Sequence, residues 1–485
     1  MSPIVTIITL IGYMLLLFGT AYIAGHGADN RGFFIGNRRT TWYMATLAMI
    51  GAAMSGVTFI SIPGSVVVDK FSYMQMVVGF TIGQLIVAFV LIPIFYKRGV
   101  VSLYEYLDQR FGVTTHKTGA ICFLISKLIG ASLKIYVVCT VMQLLVFDYF
   151  NLGFISNVAF TMLVVWLYTH RGGVRSLILT DTIQSLCLVS SIVVVIYYLC
   201  QAMNLSVAEA YDKITNSEYS QIWIFDDATS PRYFWKMVAG GALSLIAMTG
   251  LDQDMMQRNM SCRTVRDSQI NIVLTAICQI FVILLFLALG VLLYLYIDFT
   301  GMQIPSRGDD VFATVAVQGG LPLIVGIVFI IGLISSTYSA AGSALTSLTT
   351  SFSLDILDAS KFDNERLTKI RKYTHIAMAM AITLVILAFH YVATDSVINL
   401  VFKIAGYTYG PILGLFTFGI LSKRGVRQRY VPIVAIISPL LSYLLQWAVA
   451  AKFEYYIGFE LLGYNALFTI FGLIIISENK NDKAS

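Results

Sequence analysis

Apolar runs long enough to cross a lipid bilayer recur along almost the whole of this 485-residue chain. A helix needs about 20 apolar residues to span the roughly 30 Å of bilayer hydrocarbon. Since 58% of the residues are hydrophobic and only 12% are charged, against about 25% in soluble domains, we predict an all-α integral membrane protein. The sequence predicts thirteen transmembrane helices, at residues 4–24, 40–62, 71–96, 117–147, 153–169, 177–203, 234–257, 271–297, 320–352, 372–393, 396–422, 430–451 and 458–477.

The lysine and arginine residues of the connecting segments are divided unequally between the two sides of the predicted helices. The segments on one side hold 23 of them and the segments on the other side hold six. Because cytoplasmic loops carry the excess of positive charge, we place the N-terminus outside and the C-terminus in the cytoplasm, in the inner (cytoplasmic) membrane of a cell. The net charge of +6 is explained by these loops. It indicates no nucleic-acid partner, and no obligatory protein partner is evident.

Two predicted helices are interrupted by small residues. Gly51 and Gly56 interrupt the second, and Gly250 precedes an acidic segment in the seventh. Interrupted helices at matching positions are typical of inverted-repeat transporters, in which the binding site lies between them near the bilayer midplane. Close packing of small residues is the alternative explanation, and we expect it at the GxxxG spacing of Gly79 and Gly83.

The ninth predicted helix is unusually rich in hydroxyl groups, because eleven of the nineteen residues from 335 to 353 are serine or threonine. The spacing of Ser336, Ser339 and Ser343 places them on one face of a helix. Oxygen atoms are the ligands that small hard cations such as Na⁺ prefer. The alternative is that these hydroxyl groups bond to carbonyl groups of their own helix.

Charged residues inside the predicted helices mark candidate functional positions, because they are costly to bury in a membrane. Lys127 and Lys134 are seven residues apart and share one helix face. Lys134 lies deeper and is a candidate for binding an anionic group, whereas the Lys127 side chain can extend to the cytoplasmic interface. Asp181, at the start of the sixth predicted helix, either caps that helix or contributes an ion ligand. Lys403 is a candidate for pairing with an acidic residue.

Motifs of ATP-driven or covalent chemistry do not occur in the sequence: there is no Walker A motif, dinucleotide fingerprint or nucleophile elbow. We therefore predict no enzyme activity. Secondary transport of a small solute is the function that remains. A transporter-like solute sensor or channel is the alternative from another class.

Six segments, in order, resemble the bacterial sodium/solute symporter family, which includes sodium-coupled galactose, proline and sialic acid transporters. They are MSGVTFISIPG (54–64), YMQMVVGF (73–80), SLYEYLDQRFG (102–112), TGLDQDMMQRNMSC (249–262), SALTSLTTSFSLDIL (343–357) and KIAGYTYGPILGLFTFG (403–419). The resemblance implies a leucine-transporter-type fold in a single membrane transport domain, residues 1–485. One extra N-terminal helix precedes two inverted five-helix repeats, at residues 40–203 and 234–422, and two extra C-terminal helices follow.

The resemblance also implies import of a small polar solute by alternating access, coupled to sodium. A sugar or a sugar acid such as sialic acid is the expected solute. Alternatives are a sodium-uncoupled or a proton-coupled carrier of the same fold. The family positions that bind the solute match Ser55, Thr58, Gln75, Lys134 and Asp252. The shared sodium site matches Gly51, Met54, Ser336, Ser339 and Ala340, and a second sodium site of some members matches Asp181 and Ser343.

The sequence departs from the family at the shared sodium site. Relatives have roughly YSSADSAL where this chain has YSAAGSAL. Ala340 therefore replaces one hydroxyl ligand, and Gly342 replaces a nearby carboxylate. We expect sodium to bind weakly here, because an inner-sphere oxygen is missing.

Overall fold

The computed structural model describes residues 3–27, 29–392, 397–453, 455 and 457–478. These residues are mostly helical. We number the principal helices in chain order: α1 (Pro3–Gly25), α2 (Trp42–Ala53), α3 (Gly56–Asp69), α4 (Tyr73–Ile86), α5 (Val113–Met142), α6 (Phe154–Thr169), α7 (Val174–Ala202), α8 (Phe234–Leu245), α9 (Gln253–Met260), α10 (Val265–Thr300), α11 (Leu323–Ser351), α12 (Asn364–Val392), α13 (Val397–Thr408), α14 (Gly410–Leu421), α15 (Val431–Phe453) and α16 (Leu461–Ile475).

Shorter elements extend or connect these helices. α-Helical segments lie at Asn30–Ile35, Ile92–Arg98, Glu105–Phe111, Val207–Thr215 and Val311–Gln318. π-Helical turns lie at Val87–Leu91, Gln143–Phe147, Ile246–Gly250 and Phe352–Ile356, and they continue α4, α5, α8 and α11. Near the C-terminus, Gly425–Val426 pairs antiparallel with Ser477–Glu478. This small sheet ties the segment after α14 to the end of α16.

The helices coincide with all thirteen predicted positions, although the exact number of membrane crossings stays a prediction. By length and composition, eight helical stretches can cross a membrane, and two bent helix pairs raise the number to ten. The other three predicted spans correspond to the shorter apolar helices α6, α14 and α16. Residues 393–396, inside the second predicted repeat, lie outside the described residues.

The two interrupted helices that the sequence predicts are broken in the structure. α2 and α3 meet at an angle of 60°, and α8, with its π-turn, meets α9 at 65°. At the first break Met54 and Ser55 leave helical geometry, with ψ angles of 85° and 168°. At the second break Asp252 has a ψ of 124°. The backbone groups freed at both breaks are therefore available to other partners near the middle of the helix bundle.

The predicted close packing at Gly79 and Gly83 is confirmed. A Cβ atom on Gly79 would lie 2.2 Å from the carbonyl oxygen of Val238, and one on Gly83 would lie 2.7 Å from the carbonyl oxygen of Ala242. Because neither glycine has a side chain, α4 and α8 come into backbone contact. This contact places α8, and hence the second break, against the first half of the molecule.

The outer surface of the helix bundle is apolar, whereas many polar residues are buried inside it. Leu15, Phe89, Phe281 and Trp447 are among the large apolar side chains that point outward. Asp181 and Arg258 are among the residues that are almost fully buried. This distribution suits a multi-pass protein whose outer face contacts hydrocarbon, because lipid cannot hydrogen bond to polar groups.

The predicted orientation has a direct test in the long segment between α7 and α8. A reporter inserted near Ser220 should be external, and one inserted near Asp363, between α11 and α12, should be cytoplasmic, because lysine and arginine are concentrated on that side. Protease protection and impermeant labelling distinguish the two locations. A cytoplasmic Ser220 contradicts the topology. Lys480 and Lys483, which contribute to the charge bias, lie outside the described residues.

Candidate functional site

A cavity adjoins both helix breaks. The space between its atoms, including the open mouth, is about 1350 Å³. Met54 and Ser55 line it from the first break, and Thr249 and Asp252 line it from the second. Helices α4, α5, α10, α11 and α13 contribute further lining residues. The two irregular segments therefore open onto one shared space, as expected for a midplane binding site.

Lys134 supplies a cation to this cavity. Its side chain extends from α5 to the cavity wall. Within the described part of the chain, it has no ion-pair or hydrogen-bond partner. An ammonium group away from bulk water favours an anionic neighbour. Lys134 can therefore bind an acidic group of a solute.

Neutral polar groups line other parts of the same wall. Ser55 Oγ lies 3.5 Å from Thr58 Oγ1, where α3 begins. Gln84 donates a 3.0 Å hydrogen bond to Gln279, which joins α4 to α10. The side-chain oxygen of Gln84, Oε1, has no hydrogen-bond partner in the described structure. Neither glutamine was predicted from the sequence, because a single amide side chain in an apolar helix forms no motif that indicates a binding site.

Asp252 lies at the second break and is already held by several groups. Lys127 Nζ is 3.2 Å from both of its carboxylate oxygens, and the Tyr409 hydroxyl donates to it at 2.5 Å. Its Oδ1 also accepts a bond from the backbone N–H of Asp254, which caps α9. A solute that contacts Asp252 therefore meets a carboxylate fixed in position.

Lys127 does not extend to the cytoplasmic interface as the sequence analysis expected. Its ammonium group lies 2.6 Å from Asp254 and also pairs with Asp252. The side chain is buried because its ammonium group pairs with two carboxylates. These two ion pairs stabilise the charge more than water at the interface would. Lys127 thus belongs to the interior of the site.

Arg258 continues this ionic network away from the cavity. Its guanidinium group pairs with Asp254 and lies 2.7 Å from Asp181. Arg258 is one of the 23 basic residues that the charge count places in connecting segments, but it lies in α9 and is 2% exposed. Arg258 is buried in α9 because two carboxylates, Asp254 on the same helix and Asp181 on α7, share it as their counter-ion.

Asp181 is not a helix cap. α7 begins at Val174, so Asp181 lies in the second turn and is fully buried. One carboxylate oxygen binds Arg258, and the other accepts a 2.7 Å hydrogen bond from Ser339 of α11. Asp181 therefore joins the ionic network to the hydroxyl-rich helix.

Lys403 has no acidic partner among the residues that the structure describes. Its side chain is exposed. The predicted pairing is therefore not seen.

A sequence model of the sodium:solute symporter family matches residues 33–428 of this chain. The chain belongs to the sodium:solute symporter family. Its members among the curated relatives are transporters rather than enzymes, in agreement with the prediction that the chain is not an enzyme.

Three relatives illustrate the breadth of this family. The chain is 24% identical to sodium-coupled monocarboxylate transporter 2 of Danio rerio, over 81% of this chain and 63% of the relative. It is 22% identical to the human sodium/iodide cotransporter, over 80% and 60%. It is also 22% identical to the sodium/sialic acid symporter of Proteus mirabilis, over 86% and 84%. The chain thus spans less than two thirds of the length of the first two.

Solved structures show the same fold. A substrate-bound, outward-open sodium-coupled sialic acid symporter superposes with a TM-score of 0.81 at 18% identity, over 98% of this chain and 99% of the other. A closed nucleobase-cation-symport-1 transporter with bound bromovinylhydantoin gives a TM-score of 0.54 at 14% identity, over 90% and 92%. These likenesses identify the helical transporter fold but not the solute.

Some of the positions that the resemblance assigns to sodium come together in this chain. Gly51 packs so closely that an added Cβ atom would lie 2.4 Å from Ser185 Oγ, 3.1 Å from the Asp181 carbonyl oxygen and 3.5 Å from Ser339 Oγ. Met54, three residues along, lies at the break itself and lines the cavity. The first break and the Asp181–Ser339 pair are therefore neighbours.

The remaining sodium positions differ in their surroundings. Ser336 donates a 2.8 Å hydrogen bond to the carbonyl oxygen of Leu333 in its own helix, as the alternative explanation for its hydroxyl group expected. Ser343 donates at 3.0 Å to Asp254 and to the carbonyl oxygen of Ala340. Ala340 lines the cavity with its methyl group.

Gln75, the remaining position that the resemblance assigns to the solute, is buried at the N-terminal end of α4. Its amide nitrogen donates a 3.0 Å bond to the carbonyl oxygen of Arg232, and its oxygen accepts one from the N–H of Ile224. These partners belong to the segment between α7 and α8. In this structure Gln75 holds that segment in place.

Tyr168 fills the space beside Gly342, the position at which the resemblance implies an acidic side chain. A Cβ atom on Gly342 would lie 2.0 Å from the Tyr168 hydroxyl oxygen. That hydroxyl donates to the carbonyl oxygen of Tyr338, so it is fixed in place. The glycine is therefore matched to its neighbour on α6, and a carboxylate does not fit without a shift.

Proposed function

We propose that this chain is a secondary active transporter that imports a small polar solute by alternating access, coupled to sodium. The solute class we favour is a carboxylate-bearing molecule, such as a sugar acid. The observation that carries this proposal is the Lys134 ammonium group, which lines the same cavity as Ser55 and Thr58 and lacks a partner in the described structure. An acidic group on the solute supplies that partner, and the hydroxyl groups suit a polar remainder.

Sodium coupling is supported by family membership and by the arrangement around the first break. Gly51, three residues before the break at Met54, packs closely against Ser339 and Asp181, and Ser339 donates to the Asp181 carboxylate. Oxygen ligands of this kind suit a small hard cation. The two sites are joined by the network from Lys127 to Asp181, so ion binding and solute binding share buried charges.

A sodium-uncoupled or proton-coupled carrier is the second candidate, and two observations favour it. Ala340 offers no hydroxyl group, and both carboxylate oxygens of Asp181 already have partners in Arg258 and Ser339. Uptake into proteoliposomes across a panel of sugars, sialic acids and monocarboxylates separates the candidates. Accumulation that requires a sodium gradient supports symport, and accumulation driven by a proton gradient supports the second candidate. Binding without accumulation supports a sensor or channel.

The role proposed for Lys134 predicts a loss of uptake in Lys134→Gln. A charge-assisted contact of this type contributes about 1.5 to 3 kcal/mol, so uptake of a carboxylate-bearing solute at low concentration should fall roughly ten- to a hundredfold. Lys134→Arg should retain much of the activity, and the exposed Lys403→Gln serves as a matched control. Unchanged uptake in Lys134→Gln contradicts a direct role in solute binding.

A further inference from the structure

The buried ionic network between the cavity and the proposed sodium site carries a net negative charge. Its members are joined by direct contacts. They are the carboxylates Asp181, Asp252 and Asp254 and the cations Lys127 and Arg258. Three carboxylates and two cations leave one negative charge. One end of the network, Asp181, lies beside Ser339 and Gly51, where the cation is proposed to bind.

Lys134, which is not a member of this network, carries the compensating positive charge. It lies seven residues, or about 10 Å, along α5 from Lys127, on the side where the solute is proposed to bind. The next buried carboxylate, Asp355, has a partner of its own, because His116 lies 2.9 Å away and Ser102 and Ser351 donate to it. The unloaded site is therefore neutral overall, with one negative and one positive charge held apart.

From this charge distribution we infer that the carrier takes one monovalent cation together with one monoanionic solute and moves no net charge across the membrane. The inference rests on the proposed function and adds its stoichiometry and the charge of its solute. A cation alone leaves the buried site with one excess positive charge, and an anion alone leaves one excess negative charge. Either state is unfavourable where water is scarce, whereas binding both restores neutrality.

The same charges set the strength of the coupling. Lys134 lies about 10 Å along α5 from the network at Lys127. Two unit charges at that separation, with the effective dielectric constant of about 20 that describes protein sites, change each other's affinity by roughly tenfold. This coupling is reciprocal, so the solute must favour the cation as much as the cation favours the solute. It also means that the Lys134 charge, before any solute binds, weakens the binding of a cation by a similar factor.

A sodium titration of the purified protein, in the absence of any solute, tests whether the Lys134 charge weakens cation binding. Thermal unfolding is followed in detergent while Na⁺ replaces choline at constant ionic strength, for the wild type, Lys134→Gln, Lys134→Arg and the exposed control Lys403→Gln. We expect Lys134→Gln to raise the apparent Na⁺ affinity roughly tenfold, and the other two variants to match the wild type. An affinity that is the same in Lys134→Gln overturns this inference alone. A wild type with no sodium-specific stabilisation overturns sodium coupling itself.

Flux measurements test the stoichiometry, with N-acetylneuraminate and lactate as monoanionic probes. The uptake of ²²Na⁺ and of labelled probe is measured in proteoliposomes whose membrane potential is clamped by potassium and valinomycin. We expect one Na⁺ per probe molecule and the same initial rate at zero and at an inside-negative potential. A carrier that moves one net positive charge inward with each probe molecule would instead accumulate about fiftyfold more probe at an inside-negative potential of 100 mV. Two Na⁺ per probe, or such a gain, overturns the inference.

Discussion

Replacing Arg258 by glutamine is expected to produce the largest loss of stability of any single substitution in the ionic network. Arg258 is the shared counter-ion of Asp181 and Asp254, and all three side chains are almost fully buried. Removing one member of a buried ion pair leaves an uncompensated charge and costs about 3 to 5 kcal/mol. The expected result is a marked fall in the thermal unfolding temperature in detergent, or failure to accumulate in the membrane.

The control for this substitution is Arg263→Gln, because Arg263 lies five residues further along on the exposed side of the same segment. It should unfold like the wild type. The double variant Arg258→Gln/Asp181→Asn removes the carboxylate that loses its counter-ion, since Asp254 still pairs with Lys127, and it should recover part of the lost stability. Wild-type stability in Arg258→Gln would show that the contacts do not form in the membrane.

The second large effect is a gain of sodium affinity in Ala340→Ser. Ala340 lines the cavity one residue after Ser339, at the position where the resemblance implies a second hydroxyl group. Restoring one inner-sphere oxygen adds about 1.5 to 3 kcal/mol of binding free energy, so the apparent sodium affinity should rise roughly ten- to a hundredfold. Sodium-dependent thermal stabilisation, compared with choline, measures this change.

The control is Ala344→Ser, one helical turn further along the same cavity wall, which should leave the sodium affinity unchanged. Tight, sodium-specific stabilisation of the wild type that disappears in Ser339→Ala would show that the site is already complete. The corresponding repair at position 342 should fail. Gly342→Asp places a side chain against the Tyr168 hydroxyl group, so it should lower stability rather than strengthen sodium binding.

The arrangement of the network explains how two distant sites can be coupled. Asp252 and Lys127 line the cavity, and Asp181 contacts Ser339 beside the first break. Arg258 and Asp254 connect these two ends through direct ion pairs. A movement of α9 that separates Arg258 from Asp181 on α7 would therefore alter both sites together.

Several features were predictable from the sequence because local chemistry determines them. Glycine and polar residues inside apolar runs weaken a helix wherever they occur, so the breaks near Met54 and Asp252 were foreseeable. Lys134 was identifiable as a candidate because a charge inside a long apolar run has to be accommodated by function or by pairing. The departure at Ala340 was visible by comparing short motifs.

The partners of the charged residues were decided only by the tertiary structure. Lys127 meets Asp252 across 125 positions of the chain, and Arg258 meets Asp181 across 77. Neither spacing follows from helical periodicity, so Lys127 was assigned to the interface and Arg258 to a loop. Hydropathy determined which segments of this chain form helices, because that depends on each segment's own composition. Helix packing determined which buried charges neutralise one another, because that depends on distances between segments remote in sequence.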